Sequence, residues 1–463
     1  MPFLGTTGGG SVKQYGGQAN LGYFIKNSLR FRSSASGYLN RTPAGAGSTT
    51  KGTFSFWIKR GILSTAQQIY HVAGTSGNNS RFFLAYAATT DTFSIVGYDS
   101  AGTVALQLVT TQVFRDPSAW YHIVIAIDTT QPSSSNRAVL YINGVQVSAF
   151  GTSTIPAQNT ALGFTNNTAS LIGANTGATN YFDGYLAEIN FVNGQQLNPS
   201  SFGKTYAATG QWIPKKFTGA YGTNGFYLKF ADASAATAAA IGKDSSPNGN
   251  NWTPNNISVT SGATYDAMID SPTLTSATAA NYSVANPLST LYTVTAGNLD
   301  FTYTNSTSGV WYLKGTLAVS SDKYYWEVIP SNVGAGSNIS IGIILSTNTQ
   351  TNTTTINLVT DGYVYHCDGN KYSGSTSAAY GATYTNNDVI GVALDLTAGT
   401  LVFYKNNVSQ GTAYTGLTSS YMLLVCNHLG GASRTVAGSV NFGQRPFVYT
   451  APANHVALNT FNL

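Results

Sequence analysis

Residues 388–411 read Asp388-Val-Ile-Gly-Val-Ala-Leu-Asp395-Leu-Thr-Ala-Gly-Thr-Leu-Val-Phe-Tyr404-Lys-Asn406-Asn407-Val-Ser-Gln-Gly411. Two strands are joined and followed by turns. Successive side chains of a strand point to opposite faces, so each strand offers one face to a core. Gly and Asn tolerate the positive φ that tight hairpin turns require. Asp395, Tyr404 and the Asn406-Asn407 turn are therefore read as scaffold.

Composition carries the same reading to the whole chain. Of 463 residues only 8% are charged, while 42% are hydrophobic and 12% aromatic, with 49 Gly and 29 Tyr. Disorder calls for few aromatics and high net charge, which this is not. The length suits two or three domains, each large enough to bury a core without staples. A net charge of +5 is spread thinly. Lys215-Lys216 is the one notable local pair, so nucleic-acid binding is not expected. No apolar run reaches membrane-spanning length, so no membrane insertion is expected. Met1-Pro-Phe-Leu-Gly-Thr lacks the basic and apolar regions of a secretion signal. Cys367 and Cys426 read as two small hydrophobes in strands, and geometry must decide whether they pair.

Working upstream, Lys323-Tyr-Tyr-Trp-Glu-Val-Ile-Pro330, Ile339-Ser-Ile-Gly-Ile-Ile-Leu345 and Gly362-Tyr-Val-Tyr-His-Cys367 are strands, and Val440-Asn-Phe-Gly443 closes the block. A separate set begins at Ser28. Thr53-Phe-Ser-Phe-Trp-Ile-Lys-Arg60 alternates, with Phe54, Phe56 and Ile58 on one face and Ser55, Trp57 and Lys59 on the other. Ala119–Asp128 puts Tyr121, Ile123, Ile125 and Ile127 on one side, and Asn143-Gly144 marks a type I′ hairpin. Between the sets, Ala231 to Ala240 is a loop or a short helix, and Asp244-Ser-Ser-Pro-Asn-Gly-Asn-Asn is dense in turn formers.

The block from Lys323 to Phe447 resembles the SPRY domain: a Tyr-Trp-Glu-Val strand, a Gly-Ile strand, then Val389–Asp395 and Leu401–Tyr404. The phrases Phe54-Ser-Phe-Trp57, Trp120-Tyr-His-Ile-Val, Leu140-Tyr-Ile-Asn-Gly-Val and Asp183-Gly-Tyr-Leu-Ala-Glu188 resemble, in order, the laminin-G-like, concanavalin-A-like jelly roll. More narrowly, Val113–His122, Asp183–Phe191 and Tyr265-Asp-Ala-Met-Ile-Asp-Ser-Pro272 are similar to lectin-like modules of tailed-bacteriophage fibre proteins and the phrase that follows them.

The expected fold is thus all-β, with two antiparallel β-sandwiches joined by a turn-rich connector. The divisions are a Gly-rich N-terminal attachment segment (1–26), a laminin-G-like sandwich (27–214), the connector (215–278), an SPRY-like sandwich (279–450) and a C-terminal tail (451–463). The resemblance implies a non-enzymatic virion component, a tail fibre or receptor-binding protein, made in the bacterial cytoplasm. It would attach to other virion proteins through the N-terminal segment, meet host-surface glycan or protein through its loops, and assemble as a homo-oligomer, a trimer by likeness to fibres. The alternatives are a capsid decoration or tail-scaffold protein, and a glycan depolymerase.

A depolymerase needs two carboxylates flanking the scissile bond, on one strand face in a sheet-borne site. Glu188 has Leu186 and Asn190 as same-face neighbours, and Glu327 stands between Trp326 and Val328. No such pair is legible, and Glu188 is expected to face solvent or bond a loop. His71, His122, His366, His428 and His455 are scattered without zinc spacing, and His122 is expected to be exposed or partly buried. No cofactor is expected, although Ca²⁺ remains open for a laminin-G-like module, with Asp99, Asp116 and Asp183 as the loop acids to test. The SPRY likeness places partner binding on loops at one end of the sandwich: Thr347 to Thr355, Asp368 to Gly374, and Tyr380 to Asn387. From these, Tyr372, Tyr380, Tyr384, Asp368 and Asn370 are the binding candidates, since Tyr rings stack on sugars while Asn and Asp take hydroxyls.

Overall fold

The computed structural model describes residues 22–274, 276–289, 291–305, 310–334, 338–353, 359–427 and 434–463. These residues are nearly all strand and turn, in two sandwiches. Among them no helix is long and apolar enough to cross a membrane.

In the first sandwich one sheet runs Val145–Gln146, Ala138–Ile142, Trp120–Asp128, Lys51–Arg60, Gly184–Asn193, Ser28–Phe31, Ala267–Met268, with Phe226–Leu228 added to Gly184–Asn193. The facing sheet runs Phe150–Thr154, Val104–Val113, Thr92–Tyr98, Phe82–Tyr86, Gln67–Val72, Ser170–Ile172, Tyr38–Arg41, Thr253–Asn255. Period-two alternation turns Phe54, Phe56 and Ile58 into the core, where Phe54 stacks on Phe191 at 4.4 Å. Asn143 and Gly144 take φ of 50° and 81°, the two positive values of the expected turn.

The outer face of Lys51–Arg60 is covered too, which alternation alone could not reveal. Trp212, from a ribbon of Gly203–Thr205 and Trp212–Pro214, donates its indole N–H to His122 Nδ1 at 2.9 Å. An indole nitrogen only donates, so the His122 proton sits on Nε2, 2.9 Å from Ser55 Oγ. Trp57 stacks on the imidazole at 4.8 Å. His122 is therefore buried, contrary to the exposed or partly buried position expected for it, and burial pulls its pKa down to about 3.

Residues 215–278, expected as a connector, instead furnish strands Phe226–Leu228, Thr253–Asn255 and Ala267–Met268 to the first sandwich. Phe226, Leu228, Ile241 and Trp252 are too apolar to span water, and all four join its core. The 231–240 run is bends and turns.

The second sandwich has one sheet of Thr293–Thr295, Asp300–Asn305, Arg434–Asn441, Lys323–Asn332, Ile390–Asp395, Thr400–Lys405, Val408–Tyr414. Its partner is Asn352–Thr353, Val310–Lys314, Tyr421–Asn427, Ile339–Leu345, Val359–His366, Asn370–Gly374, Thr376–Ala379. The 388–411 hairpin pairs Ile390 with Lys405 and Asp395 with Thr400. Asn406 and Asn407 carry φ of 48° and 70°, and the Asn406 side-chain oxygen accepts from Val389 N at 2.8 Å. Asp395 accepts from Thr397 and Ala398 N–H groups and pairs with Lys323 at 2.7 Å. The residues read as scaffold at Asp395 and Asn406-Asn407 do hold turns. The C-terminal residues are no free tail: Val456–Ala457 pairs in parallel with Lys323–Asn332, and Asn462 O accepts from Tyr324 at 2.6 Å. Cys367 and Cys426 are both buried in the reduced form.

A buried polar seam joins the sandwiches. Lys59 is wholly buried, and its three N–H donors reach Asp270 Oδ2 (2.8 Å), Asn281 Oδ1 (2.8 Å) and Tyr282 O (2.9 Å). Trp120 Nε1 donates to the other Asp270 oxygen at 3.1 Å. Tyr185 donates its hydroxyl to Gly297 O at 2.7 Å and, with Met268, packs in the core of the second sandwich. Gly297 is required here, because its φ is +67° and a Cβ would sit 2.7 Å from the Tyr185 ring.

Candidate binding surface

Antiparallel register sorts the loops into two ends. Ile344 faces Gly362 and Ser340 faces His366, so Asp368 follows the strand end beside Ile339, while residues 346–350 follow the end beside Leu345. The two loop sets are about 20 Å apart along the seven-residue strand, at roughly 3.4 Å per residue. The expectation that Thr347 to Thr355 joins the other two loops at one end is thereby corrected. Its described part, to residue 353, lies at the end that meets the first sandwich, with Asn348 and Thr349 in a cleft shared with Asp116; Thr354 and Thr355 lie outside the described residues.

The distal end gathers Asp368, Asn370, Tyr372 and Tyr380. Asp368 Oδ1 accepts from Asn370 N (2.8 Å), and Oδ2 accepts from Asn370 Nδ2 (2.9 Å) and Tyr372 hydroxyl (3.3 Å). Partial burial works against the Asp368 charge, but the Asn370 donors outweigh it and hold the carboxyl below its usual range. Tyr372 is half-buried, its ring edge-on to His366 at 5.5 Å. Tyr380 donates its hydroxyl to Gly411 O (2.6 Å), accepts from Phe403 N (3.2 Å) and sets its ring edge-on to Tyr365 at 5.2 Å. It thus braces the 388–411 hairpin while leaving part of its ring exposed. Tyr384 is corrected: it is buried at 1% exposure, and its hydroxyl donates to Ile339 O and Tyr365 O, both at 3.0 Å. A tyrosine in a loop-like sequence was drawn inward by an open pair of strand-end carbonyls.

Lys371, on the opposite strand face from Tyr372, was missed by sequence reasoning. Its ammonium donates to Ala413 O at 2.5 Å and lies 5.8 and 5.2 Å from the Tyr380 and Tyr414 ring centres. Only its place between Asn370 and Tyr372 could have marked it. Strand Thr376–Ala379 borders this surface at the sheet edge, with its side chains exposed.

The three metal candidates stand apart in role. Asp99 accepts from Ala101 and Thr103 N, and Asp116 from Ser118 N and Oγ, which are loop-capping patterns. Asp183 is fully buried and accepts from Ser33 N and Oγ and from Ala296 and Gly297 N, so it ties the two sandwiches. It sits in the loop just before Gly184–Asn193, with its carboxylate taken up by these donors. Among the described residues no three His, Cys, Asp or Glu cluster to hold a metal ion; His428 lies outside them.

Both glutamates of the chain are enclosed. Glu327 accepts from Val448 and Tyr449 N at 2.8 and 2.9 Å. Glu188, expected at a solvent-facing or loop-bonded position, is buried at a bulge between Ala187 and Asn190 with φ of 52°. It accepts from the Tyr23 and Tyr227 hydroxyls at 2.5 and 2.6 Å. Burial pushes its carboxyl up to about 7 against the pull of those bonds. Tyr23 and Ile25, from the end of the N-terminal segment, seal this face; residues 1–21 lie outside the described set.

With this geometry in hand, residues 323–445 match the family model of the SPRY domain, and residues 33–200 match that of the concanavalin A-like lectin/glucanases superfamily. The chain therefore combines a laminin-G-like, concanavalin-A-like domain with a SPRY domain. Over 89 residues, 19% of this chain, it is 37% identical to Ran-binding protein 10 of Danio rerio and to Ran-binding protein 9 of Homo sapiens. Those residues span 14% and 12% of the relatives' own lengths. Similar solved structures include the SPRY domain of human HERC1 (20% identity, 35% of this chain and 99% of that chain, TM-score 0.29) and a pentraxin from Limulus polyphemus (14% identity, 38% and 78%, TM-score 0.28).

Proposed function

We propose that this is a non-enzymatic binding protein of a tailed-bacteriophage virion, a tail fibre or other receptor-binding appendage that meets host-surface glycan or protein with the distal end of its SPRY domain. The observation that carries the binding role is the grouping of Asp368, Asn370 and Tyr372 at the end of the sandwich remote from the seam, free of the first domain. Relatives named as binding proteins support a partner-binding use of the fold. The virion setting rests on the likeness of residues 113–122, 183–191 and 265–272 to fibre-borne lectin modules. Attachment through the N-terminal segment and a trimeric state belong to the same proposal. The non-enzymatic reading is supported by the glutamates, each closed in by its own hydrogen bonds, with no second carboxylate bonded to either among the described residues.

Purified chain titrated onto host cells and a glycan array tests this. Saturable binding, abolished by Tyr372→Ala or Asp368→Ala without change in melting temperature, supports the reading. Absence of host binding together with tight capsid or tail association would replace it by the decoration role. Release of reducing ends from host polysaccharide would replace it by a depolymerase.

A further inference from the structure

A cleft of about 460 Å³ opens where the two sandwiches meet, within the roughly 300–1,000 Å³ usual for small-ligand sites. The first sandwich supplies Asp116, and the second supplies Asn286, Leu288, Lys314, Thr349 and Met422. Lys314 is 5% exposed, and its ammonium donates to Asn348 O (2.6 Å) and Asn348 Oδ1 (3.0 Å), both neutral. Two of its three donors are thus used, and no carboxylate pairs with it among the described residues. Lys59, the other buried lysine among the described residues, has a carboxylate as its counter-charge. Burial lowers the pKa of Lys314, as it does that of the paired Lys59, so the open position on Lys314 rests on its hydrogen bonds alone.

The rest of the cleft speaks to what would bring that anion. The Asn286 oxygen accepts from Leu288 N at 2.9 Å, which leaves its amide N–H₂ to donate. Asp116 Oδ1 is occupied by Ser118, which leaves Oδ2 to accept on the facing wall. Leu288 is 57% exposed at the rim, an apolar seat for C–H groups. Dispersed donors and acceptors around one cation and one small apolar patch suit hydroxyls on a ring. The Asp116 carboxylate in the same cleft repels a doubly charged phosphate more than a singly charged carboxylate.

We propose that this seam cleft is a second binding site, taking an acidic saccharide whose carboxylate pairs with Lys314 and whose hydroxyls bridge Asn286 and Asp116. It is built from residues that the distal SPRY surface does not use, so the two sites stand or fall separately.

The test is calorimetric titration of the full chain with sialyllactose, digalacturonate, lactose and triglutamate. Expected is binding of at least one acidic saccharide, weakened about tenfold or more by Lys314→Met, abolished by the cleft-filling Thr349→Trp, and unchanged by Tyr372→Ala. Thr349 is exposed, so its variant remains informative if Lys314→Met fails to fold. Lactose binding as tightly as both acidic saccharides, triglutamate binding more tightly than either, or no binding at millimolar concentration would each overturn the proposal. So would acidic-saccharide binding that survives Thr349→Trp.

Discussion

Replacing Lys59 by Met should cost more than any surface change in this chain. The substitution keeps the side-chain length but removes the ammonium that serves Asp270, Asn281 and Tyr282. Asp270, itself wholly buried, keeps the Trp120 indole N–H and a 3.3 Å contact from Tyr282 N, but loses the one counter-charge it has among the described residues. Breaking a buried pair from one side costs roughly 3–5 kcal/mol, far more than the net worth of the intact pair. For a unit of 150–250 residues each kcal/mol moves the melting temperature by about 2–4 °C, so the first sandwich alone would drop by roughly 6–20 °C. Should both sandwiches melt as one unit, the unfolding entropy doubles and the shift halves, to roughly 3–10 °C. Scanning calorimetry reads both the shift and whether one transition becomes two. In the Lys59→Met, Asp270→Asn double variant the stranded charge is gone, so more than half of the loss should return. A shift below about 1 °C, or a double variant no more stable than the single, would refute the seam as described.

Three further outcomes follow from the same physics. Glu188 has a folded pKa of about 7, raised from 4.5, so its contribution is fully present below about pH 4.5 and is lost as pH rises through 7. Glu188→Gln should remove that loss, on the order of 3 kcal/mol, in urea titrations between pH 4.5 and 8; an unchanged pH slope would contradict it. His122 runs the other way: with its pKa depressed to about 3, its contribution holds above about pH 6.5 and is lost as pH falls toward 3. His122→Gln, which cannot titrate, should flatten the acid limb of the same curve. Asn406→Val forces a β-branched residue to φ of 48° and removes the acceptor for Val389 N, so a loss of about 1–3 kcal/mol is expected by chemical denaturation.

Alternation and turn chemistry made the strands and the 388–411 hairpin legible, because both are set within a few residues. Phe54, Phe56 and Ile58 read as core and are core. Period two tells which side chains share a face but not whether a distant segment covers it. Hence the Trp212 lid over His122 and the Tyr23–Tyr227 enclosure of Glu188 were invisible. The connector misled for a related reason: its turn-rich stretches hide three strands of two or three residues each, too short for periodicity to register. At the distal surface, the SPRY resemblance set Asp368, Asn370 and Tyr372 in one loop, and there they bond to one another. Tyr384 and the Thr347 loop were not legible, since their placement depends on which strand ends the antiparallel register brings together.

The seam also changes how the two proposed sites would cooperate. Across a flexible linker the separation of two sites is a distribution, and bivalent ligands of many lengths are tolerated. Here Asp183, Lys59 and Tyr185 bolt the two sandwiches at several points. The distance from the distal loops to the seam becomes a fixed gauge, and avidity at the two proposed sites would measure ligand length.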